Sequence, residues 1–271
     1  MDQGAVLAAF DEQLRAGPRP SIFGGRFERD GRVIRCVGEH PDDWSGIDWS
    51  DLDEDNADEV IAGQVRWFAE RGRRFEWKYY THDRPADLPE RLRRAGLEPG
   101  PEEALMVADI AEPAAGPTAD PQADPTADRL LPAGVRLVPV SDAAGIALLV
   151  GLHEEVFGDD FAGFGRTLLH RLEHSPGSVV PVLAMAGDRA VCGARIDFHP
   201  GTEFASLWGG GTLKAWRGKG IYRATVAYRA RLAAERGFRY LRVDALPTSD
   251  PILTRLGFVR LSTTVPFTFT P

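Results

Sequence analysis

One stretch of the chain carries most of the information on its architecture, and it reads Leu207-Trp208-Gly209-Gly210-Gly211-Thr212-Leu213-Lys214-Ala215-Trp216-Arg217-Gly218-Lys219-Gly220-Ile221-Tyr222. Its apolar start is typical of the end of a β-strand, its glycines and cations predict a loop, and the residues that follow have helical spacing. A loop that enters a helix in this way brings free backbone N–H groups and the positive helix terminus to one point. The stretch therefore predicts an anion site.

The loop is suited to phosphate. Gly218 and Gly220 let the main chain approach phosphate oxygens without a Cβ in between, and Arg217, Lys219 and Arg223 add positive charge.

Two common nucleotide motifs do not fit this loop. A P-loop would need glycine at position 213 and serine or threonine at 220, where the chain has Leu213 and Gly220. A dinucleotide fingerprint that starts at Gly218 would need glycine at 223, which is Arg223.

The pattern on both sides of the loop predicts a mixed α/β domain with one dominant sheet. Gly187-Asp188 is a hairpin turn signal, and Gly237 stands where a helix C-cap belongs. The helix after the loop shows Ile221, Ala224, Tyr228 and Leu232 on one face. We expect strands at 135–140, 179–186, 190–198, 204–213, 240–245 and 258–269, and helices at 143–156, 161–174, 220–236 and 249–256.

These residues resemble a known family. Arg217-Gly218-Lys219-Gly220-Ile221 is similar to the R/Q-x-x-G-x-G/A pyrophosphate loop of the GNAT superfamily of acyl-CoA-dependent N-acetyltransferases. The order of elements over 135–271 and the late Leu256-Gly257-Phe258 are also similar, so the resemblance covers about half the chain. It implies an α/β (α+β) fold, with a central mixed, mostly antiparallel sheet flanked by helices.

The resemblance also implies an activity and its co-substrate. In the family the loop binds the pyrophosphate of acetyl-CoA or another acyl-CoA, and the strand before it splays from its neighbour and pairs with the pantetheine arm. The acyl group passes to an amine in a ternary complex, without a metal. A small-molecule amine is the favoured acceptor and a protein amine the alternative. The implied binding residues are Gly211, Thr212, Leu213, Arg217, Gly218, Lys219, Gly220, Ile221 and Tyr222.

The acid and base of the family do not carry over. Tyr222 is bulkier than the usual last residue of the loop motif, and Leu253 occupies the position of a frequent proton-donating tyrosine. A non-catalytic acyl-CoA-binding sensor or partner-binding module is therefore the rival interpretation.

Three residues are candidates for the missing chemistry. Glu203 is the first choice as base, with a solvated strand-end carboxylate as the alternative. Asp244 is a substrate binder or base at the end of the penultimate strand, and Ser249 is an N-cap or a donor to the thiolate. In the first helix of the second half, His153, Glu154 and Glu155 are interpreted as an exposed face, with contact of one of them to the substrate as the alternative, because the resemblance implies that this helix lines the acceptor site.

The first half contains a partial echo of the second. Ala69-Glu70-Arg71-Gly72 matches Ala234-Glu235-Arg236-Gly237 at an offset of 165 residues, and chance similarity is the alternative to duplication. This offset places the acidic Leu52-Asp53-Glu54-Asp55 opposite the basic loop. We therefore predict a degenerate GNAT-like module without cofactor at 1–110, an Ala/Pro/Asp-rich linker at 111–134 and the acyltransferase domain at 135–271.

Composition narrows the function classes. Residues 1–134 carry 16 basic and 28 acidic side chains, whereas residues 135–271 carry 16 and 12, which argues against nucleic-acid binding along the chain. No apolar run approaches the length of a membrane span, no secretory signal is evident, and two cysteines are too few for a disulfide framework. The expected compartment is the cytoplasm.

Overall fold

The chain forms two compact units. In the computed structural model, residues 1–17, 25–39, 43–110 and 131–271 are described, so most of the predicted linker (111–130) lies outside the described residues. The first unit comprises Met1–Met106, Asp244–Leu253 and Val259–Pro271, and the second comprises Val107–Val243 and Thr254–Phe258. None of the helices in the described ranges combines the length and apolarity that a membrane span requires.

The first unit is built on a sheet with strand order β1-β2-β3-β4-β12. Its pairs are antiparallel apart from β3 and β4, which are parallel. A π-helical turn at Asp11–Ala16 follows α1. The elements are α1 (Gln3–Phe10), β1 (Gly25–Asp30), β2 (Val33–Gly38), β3 (Gly46–Ser50), α2 (Ala57–Ala69), β4 (Phe75–Tyr80), α3 (Leu88–Arg94), β5 (Glu98–Pro99), β6 (Glu103–Asp109, which runs into the second unit) and β12 (Val259–Phe269).

The second unit contains a sheet with strand order β11-β10-β9-β8-β7. The pairs are antiparallel except β10 with β11, which are parallel. Helices α4 and α5 pack against each other and α4 contacts β9 and β10, which α6 also contacts. The elements are β7 (Val135–Pro139), α4 (Ala143–Phe157), α5 (Ala162–His174), β8 (Val179–Ala186), β9 (Arg189–Phe198), β10 (Phe204–Thr212), a 3₁₀ turn (Lys214–Trp216), α6 (Ile221–Glu235), β11 (Tyr240–Ala245) and α7 (Asp250–Arg255, which straddles the unit boundary).

The elements predicted for the second half are confirmed. Each helix and strand begins and ends within one or two residues of the predicted range. Gly187 has φ +59° at the β8–β9 turn, as a tight hairpin requires. Gly237 has φ +80° after α6, as expected of a helix C-cap.

The predicted inner face of α6 is only half right. Ile221 and Ala224 are buried, but Tyr228 and Leu232 are only partly so. The other buried positions are Thr225, Val226, Arg229 and Ala233, so the inner face is rotated by about one residue. Apolar spacing did not indicate this because two of the buried side chains, Thr225 and Arg229, are polar.

The repeat between the two halves extends to their hydrogen bonds. Gly72 N donates to Ala69 O (2.9 Å) at the end of α2, and Gly237 N donates to Ala234 O (3.0 Å) at the end of α6. Both glycines are left-handed, with φ +59° and +80°. In each unit the helix connects two strands that pair in parallel: α2 follows β3 and precedes β4, and α6 follows β10 and precedes β11. The two halves therefore share one module plan, as predicted.

The last strand belongs to the first unit. β12 pairs with β4 in antiparallel register from Thr264↔Tyr80 to Phe269↔Phe75. Phe267 is buried in the same apolar cluster as Trp77 and Tyr79. The predicted division assigned β12 to the domain at 135–271, whereas the compact units assign it to the first unit. The reason is that its pairing partner β4 lies in the first half of the chain.

Candidate functional site

The two parallel strands of the second unit pair over a short distance only. Phe204, Ala205 and Ser206 pair with Tyr240, Leu241 and Arg242, and β10 continues for six more residues to Thr212. On its other side β10 stays paired with β9, with a bulge between Trp208 and Gly211. A strand edge that its neighbour leaves open can pair with an extended ligand.

Each glycine of the bulge makes room for a different side chain. A Cβ on Gly209 would lie 3.0 Å from Cε1 of His153, and one on Gly210 would lie 2.6 Å from Cε2 of Tyr222. A Cβ on Gly211 would lie 3.0 Å from Cζ of Phe157. Since real Cβ atoms rarely come this close to other carbons, the three consecutive glycines bring α4 and α6 close to this part of β10.

The loop after β10 holds its backbone donors free. Gly218 and Gly220 have φ +75° and +81°, and α6 begins at Ile221 without a capping side chain. Among the described residues, none accepts a hydrogen bond from the backbone N–H groups of residues 218–223, and the first helical bond is Ala224 N to Gly220 O (3.0 Å). The predicted set Gly218, Lys219, Gly220, Ile221 and Tyr222 thus supplies consecutive unpaired donors at a helix N-terminus.

Cations surround these donors. Lys214, Arg217 and Lys219 are exposed, and none of them or Arg223 has a carboxylate within ion-pair distance among the described residues. Arg217 Nε donates to Thr212 O (3.0 Å), which ties the loop to the end of β10. Lys219 Nζ lies 4.6 Å from the centre of the Trp216 ring. The charge is therefore available to an anionic ligand.

The bulky Tyr222 is accommodated by a matching gap. Its ring packs against Gly210, the one position of β10 where a Cβ would collide with it. Burial raises the pKa of the Tyr222 phenol, with Arg229 acting in the opposite direction. Arg229 is itself buried, and its Nε donates to Thr225 O (2.9 Å). This departure from the family motif is thus compensated within the fold.

Thr212 and Leu213 face inward. The Thr212 hydroxyl donates to Cys192 Sγ (3.1 Å), whose thiol has its pKa raised by burial. Leu213 N donates to Val191 O (3.0 Å), and the Leu213 side chain lies in an apolar cluster with Leu149. Contact of Gly211, Thr212 and Leu213 with a ligand stays a prediction. Such a contact would have to use their backbone atoms.

In the corresponding loop of the first unit, several backbone donors already have acceptors within the chain. Asp53 Oδ1 accepts from the N–H groups of Asp55 and Asn56, both at 3.0 Å, and Asp53 O accepts from Ala57 N (3.2 Å). Two of the donors in this loop are thus taken by a carboxylate of the chain itself. A first module without cofactor stays a prediction.

Solved structures with this architecture exist. The chain is similar to a GCN5-related N-acetyltransferase from Kribbella flavida, with 17% identity over 99% of this chain and 94% of that one and a TM-score of 0.67. It is also similar to a tandem GNAT protein from the clavulanic acid biosynthesis pathway, with 14% identity over 98% and 93% of the two chains and a TM-score of 0.60. It is similar as well to a GCN5-related N-acetyltransferase from Sphaerobacter thermophilus, with 14% identity over 88% of this chain and 76% of that one and a TM-score of 0.58.

The chain has the GNAT fold. No protein-family model and no curated protein matches its sequence. The similarity to solved structures confirms the predicted mixed α/β architecture and the two-module plan.

Glu203 lies away from the loop of this GNAT fold. It precedes β10, nine residues from Thr212, which corresponds to about 25–30 Å of strand. Its carboxylate is 3.8 Å from Arg239 Nη1 and 44% exposed. The backbone O of Glu203 accepts from Arg239 N (3.0 Å) and Tyr240 N (2.9 Å), which anchors β11. The structure thus shows a strand-end carboxylate, and a role as base stays a prediction.

A substitution separates these two roles. We expect Glu203→Gln to leave turnover within about twofold of the wild type, because Glu203 is six residues, or about 20 Å of strand, from the bulge at Gly209. An exposed ion pair contributes at most about 1 kcal/mol to stability. Steady-state rates at neutral pH measure the turnover. A loss of turnover of about a hundredfold or more, reversed at high pH, would instead support the proton relay predicted from the sequence.

Asp244 is the partner of a buried lysine. Its Oδ2 lies 3.5 Å from Nζ of Lys78, which also donates to Glu103 Oε2 (2.7 Å). Burial lowers the pKa of Lys78, but Asp244 and Glu103 outweigh it and raise that pKa overall. The carboxylate of Asp244 therefore neutralises a cation in the first unit, and a role as base or substrate binder stays a prediction.

Ser249 stands at the start of α7. Its hydroxyl donates to Leu246 O (3.0 Å) and its carbonyl accepts from Leu253 N (3.0 Å), so it closes the first turn of the helix. Leu253 is fully buried. Donation by Ser249 to a thiolate is untested by these contacts and stays a prediction.

His153 was misjudged from the sequence. It is 2% exposed on the inner face of α4, where an exposed helix face was expected. Its Nε2 lies 2.9 Å from Gly209 O, so this nitrogen carries the proton, and Nδ1 has no hydrogen-bond partner among the described residues. Burial lowers the pKa of His153 to about 4, with Arg195 acting in the same direction. Two glutamates follow His153 in the sequence and are typical of an exposed helix face, so the sequence did not indicate that His153 is buried.

Proposed function

We propose that the chain is an acyl-CoA-dependent N-acyltransferase whose second unit binds acetyl-CoA or another acyl-CoA. The observation that carries this proposal is the loop at residues 217–223, where unpaired backbone N–H groups and unpaired cations meet at the end of a strand whose outer edge is open. A Cβ on Gly218 would meet no atom of the described residues within 4 Å, so these residues leave space beside the donors. A pyrophosphate fits this combination of charge, donors and space.

Each part of the site has a distinct task in this proposal. Residues 218–222 donate to the pyrophosphate, while Lys214, Arg217, Lys219 and Arg223 balance its charge. The edge of β10 at residues 207–212 offers backbone groups to an extended pantetheine arm. Acyl-CoA would supply an activated thioester, from which an amine takes the acyl group.

His153 is the proposed acceptor for the hydrogen of the amine. Its proton is fixed on Nε2 by Gly209 O, so the buried Nδ1 keeps a lone pair that has no hydrogen-bond partner among the described residues. With a pKa of about 4 the imidazole is neutral at pH 7 and can accept a hydrogen bond. It lies beside the bulge of β10, where a Cβ on Gly209 would be 3.0 Å from its Cε1.

A non-catalytic acyl-CoA-binding module is the second candidate. It is favoured by Leu253, which is buried and cannot protonate a thiolate where the family often has a tyrosine. Release of thiol from acetyl-CoA in the presence of amines separates the two, because a binding module protects the protein thermally without turnover.

The stoichiometry of binding tests the assignment to the second unit. We expect calorimetry to give one acetyl-CoA per full-length chain, because the first unit's loop is acidic and Asp53 occupies two of its N–H groups. A ligand that binds only the folded state adds about 2.7 kcal/mol of stability at a hundredfold excess over Kd, so the melting temperature should rise. Two sites per chain would contradict the argument from Asp53, and an unchanged melting temperature at millimolar acetyl-CoA would remove the co-substrate altogether.

A further inference from the structure

The face of the second sheet under α4 and α5 buries more cations than carboxylates. Arg195 on β9 is cross-strand partner to Trp208 on β10, so both side chains lie on this face. Arg171 of α5 reaches the same face, with Nη1 3.3 Å from Asp197 Oδ1. Among the described residues, Asp197 is the one carboxylate within ion-pair distance of either arginine, so two guanidinium groups share one negative charge.

The two arginines differ in how well they are satisfied. Arg171 also donates to Ser178 O (3.3 Å). Arg195 approaches Asp197 Oδ1 only at 3.5 Å, and its Nε makes no well-directed hydrogen bond among the described residues. Its side chain is 12% exposed. A buried cation without a full set of partners is unfavourable in the free protein, which is why such groups often mark a binding site.

Aromatic rings define the surroundings of Arg195. Its guanidinium lies 5.0 Å from the ring centre of Phe164 and 5.6 Å from that of Trp208. From Phe164, ring contacts of 5.9 and 5.8 Å lead through Phe161 to Phe157, which is 41% exposed. The rings thus pack one against the next between the arginine and the surface. A planar guanidinium held between rings is suited to bidentate contact with a carboxylate.

Arg195 and His153 flank the same point of β10. A Cβ on Gly209 would lie 3.5 Å from His153 Nε2 and 3.6 Å from Arg195 Nη1. The imidazole of His153 and an incompletely paired cation therefore stand side by side at the bulge. A ligand that completes the pairing of Arg195 at this point must carry a negative charge.

We propose that the acceptor is an amine that also carries a carboxylate, and that Arg195 binds this carboxylate while the amine lies beside His153. The proposal rests on the proposed function and specifies the class of its acceptor. A carboxylate would complete the charge balance of Arg171, Arg195 and Asp197.

Matched amines test the acceptor class. With acetyl-CoA present, we compare glycine with methylamine, alanine with ethylamine, and phenylalanine with 2-phenylethylamine, by thermal shift and by thiol release. We expect at least one amino acid to raise the melting temperature above that of the acetyl-CoA complex and to exceed its partner at least about tenfold in kcat/KM, a difference of about 1.4 kcal/mol. If acetyl-CoA shifts the melting temperature but no amino acid does, or if the partner amines are equal or better, the proposal is overturned while the co-substrate assignment stands. If acetyl-CoA itself gives no shift, the proposed function fails first.

A substitution gives a readout that needs no substrate. We expect Arg195→Met to raise the melting temperature of the free protein by about 2 °C or more, because it replaces an incompletely paired buried cation by an apolar side chain. The same substitution should remove the preference for amino acids. Arg171→Met is the control and should lower the melting temperature, because it breaks the shorter pair with Asp197. Destabilisation by Arg195→Met would show that Arg195 is a structural ion pair and would overturn the proposal.

Discussion

Alanine at position 218 should weaken acetyl-CoA binding at least about tenfold, whereas alanine at position 237 should leave it unchanged. The two glycines have nearly the same conformation, with φ +75° and +80°. At neither position would a Cβ come within 4 Å of another atom in the part of the chain that the structure describes. They stand at opposite ends of α6, so only Gly218 belongs to the loop with the unpaired donors. A methyl group there occupies the space that phosphate oxygens need to reach the main chain.

The pair of variants separates backbone strain from loss of the ligand. An L-residue in the left-handed region costs about 1–2 kcal/mol, and both variants should lose this amount of stability. Urea unfolding gives that cost, and calorimetry with acetyl-CoA gives the affinity. If Gly218→Ala and Gly237→Ala bind acetyl-CoA equally well, residues 217–223 are not the pyrophosphate site.

The sequence was most informative where a local rule fixes the backbone. The turns at Gly187 and Gly237 and the loop glycines at 218 and 220 need left-handed conformations, and the structure has them at these positions. The same rule made the repeat visible, since Gly72 and Gly237 end equivalent helices with equivalent hydrogen bonds.

The sequence was least informative where partners come from distant segments. Asp244 resembled a free carboxylate at a strand end, but its neighbour Lys78 lies 166 positions earlier in the sequence. Arg195 and Asp197 resembled ordinary strand residues, because nothing local shows that α5 brings Arg171 to the same carboxylate. Pairing of β12 with β4 is equally non-local, so the compact units could not be derived from composition and linker position.

His153 should make the protein sensitive to acid, and His153→Gln should reduce this sensitivity. Burial lowers the pKa of His153 from 6.5 to about 4. Between these values the unfolded chain binds a proton that the folded chain does not, so stability is complete above about pH 6.5 and is lost as the pH falls towards 4. At 1.36 kcal/mol per pKa unit, the loss between pH 7.5 and pH 4.5 amounts to about 2–3 kcal/mol for this group.

Glutamine is the informative substitution because it cannot ionise, yet its amide can donate to Gly209 O as Nε2 does. Urea unfolding at pH 7.5 and 4.5 should show about 2–3 kcal/mol less loss in His153→Gln than in the wild type. His170→Gln is the control, because it removes an exposed imidazole from α5 and should follow the wild type. His153→Gln should also lower turnover with the best amine at least about a hundredfold, because the proposed acceptor of the amine hydrogen is gone. Its affinity for acetyl-CoA should change little. Unchanged turnover would remove His153 from the chemistry, and an acid sensitivity equal to that of the wild type would show that the imidazole is not held neutral by burial.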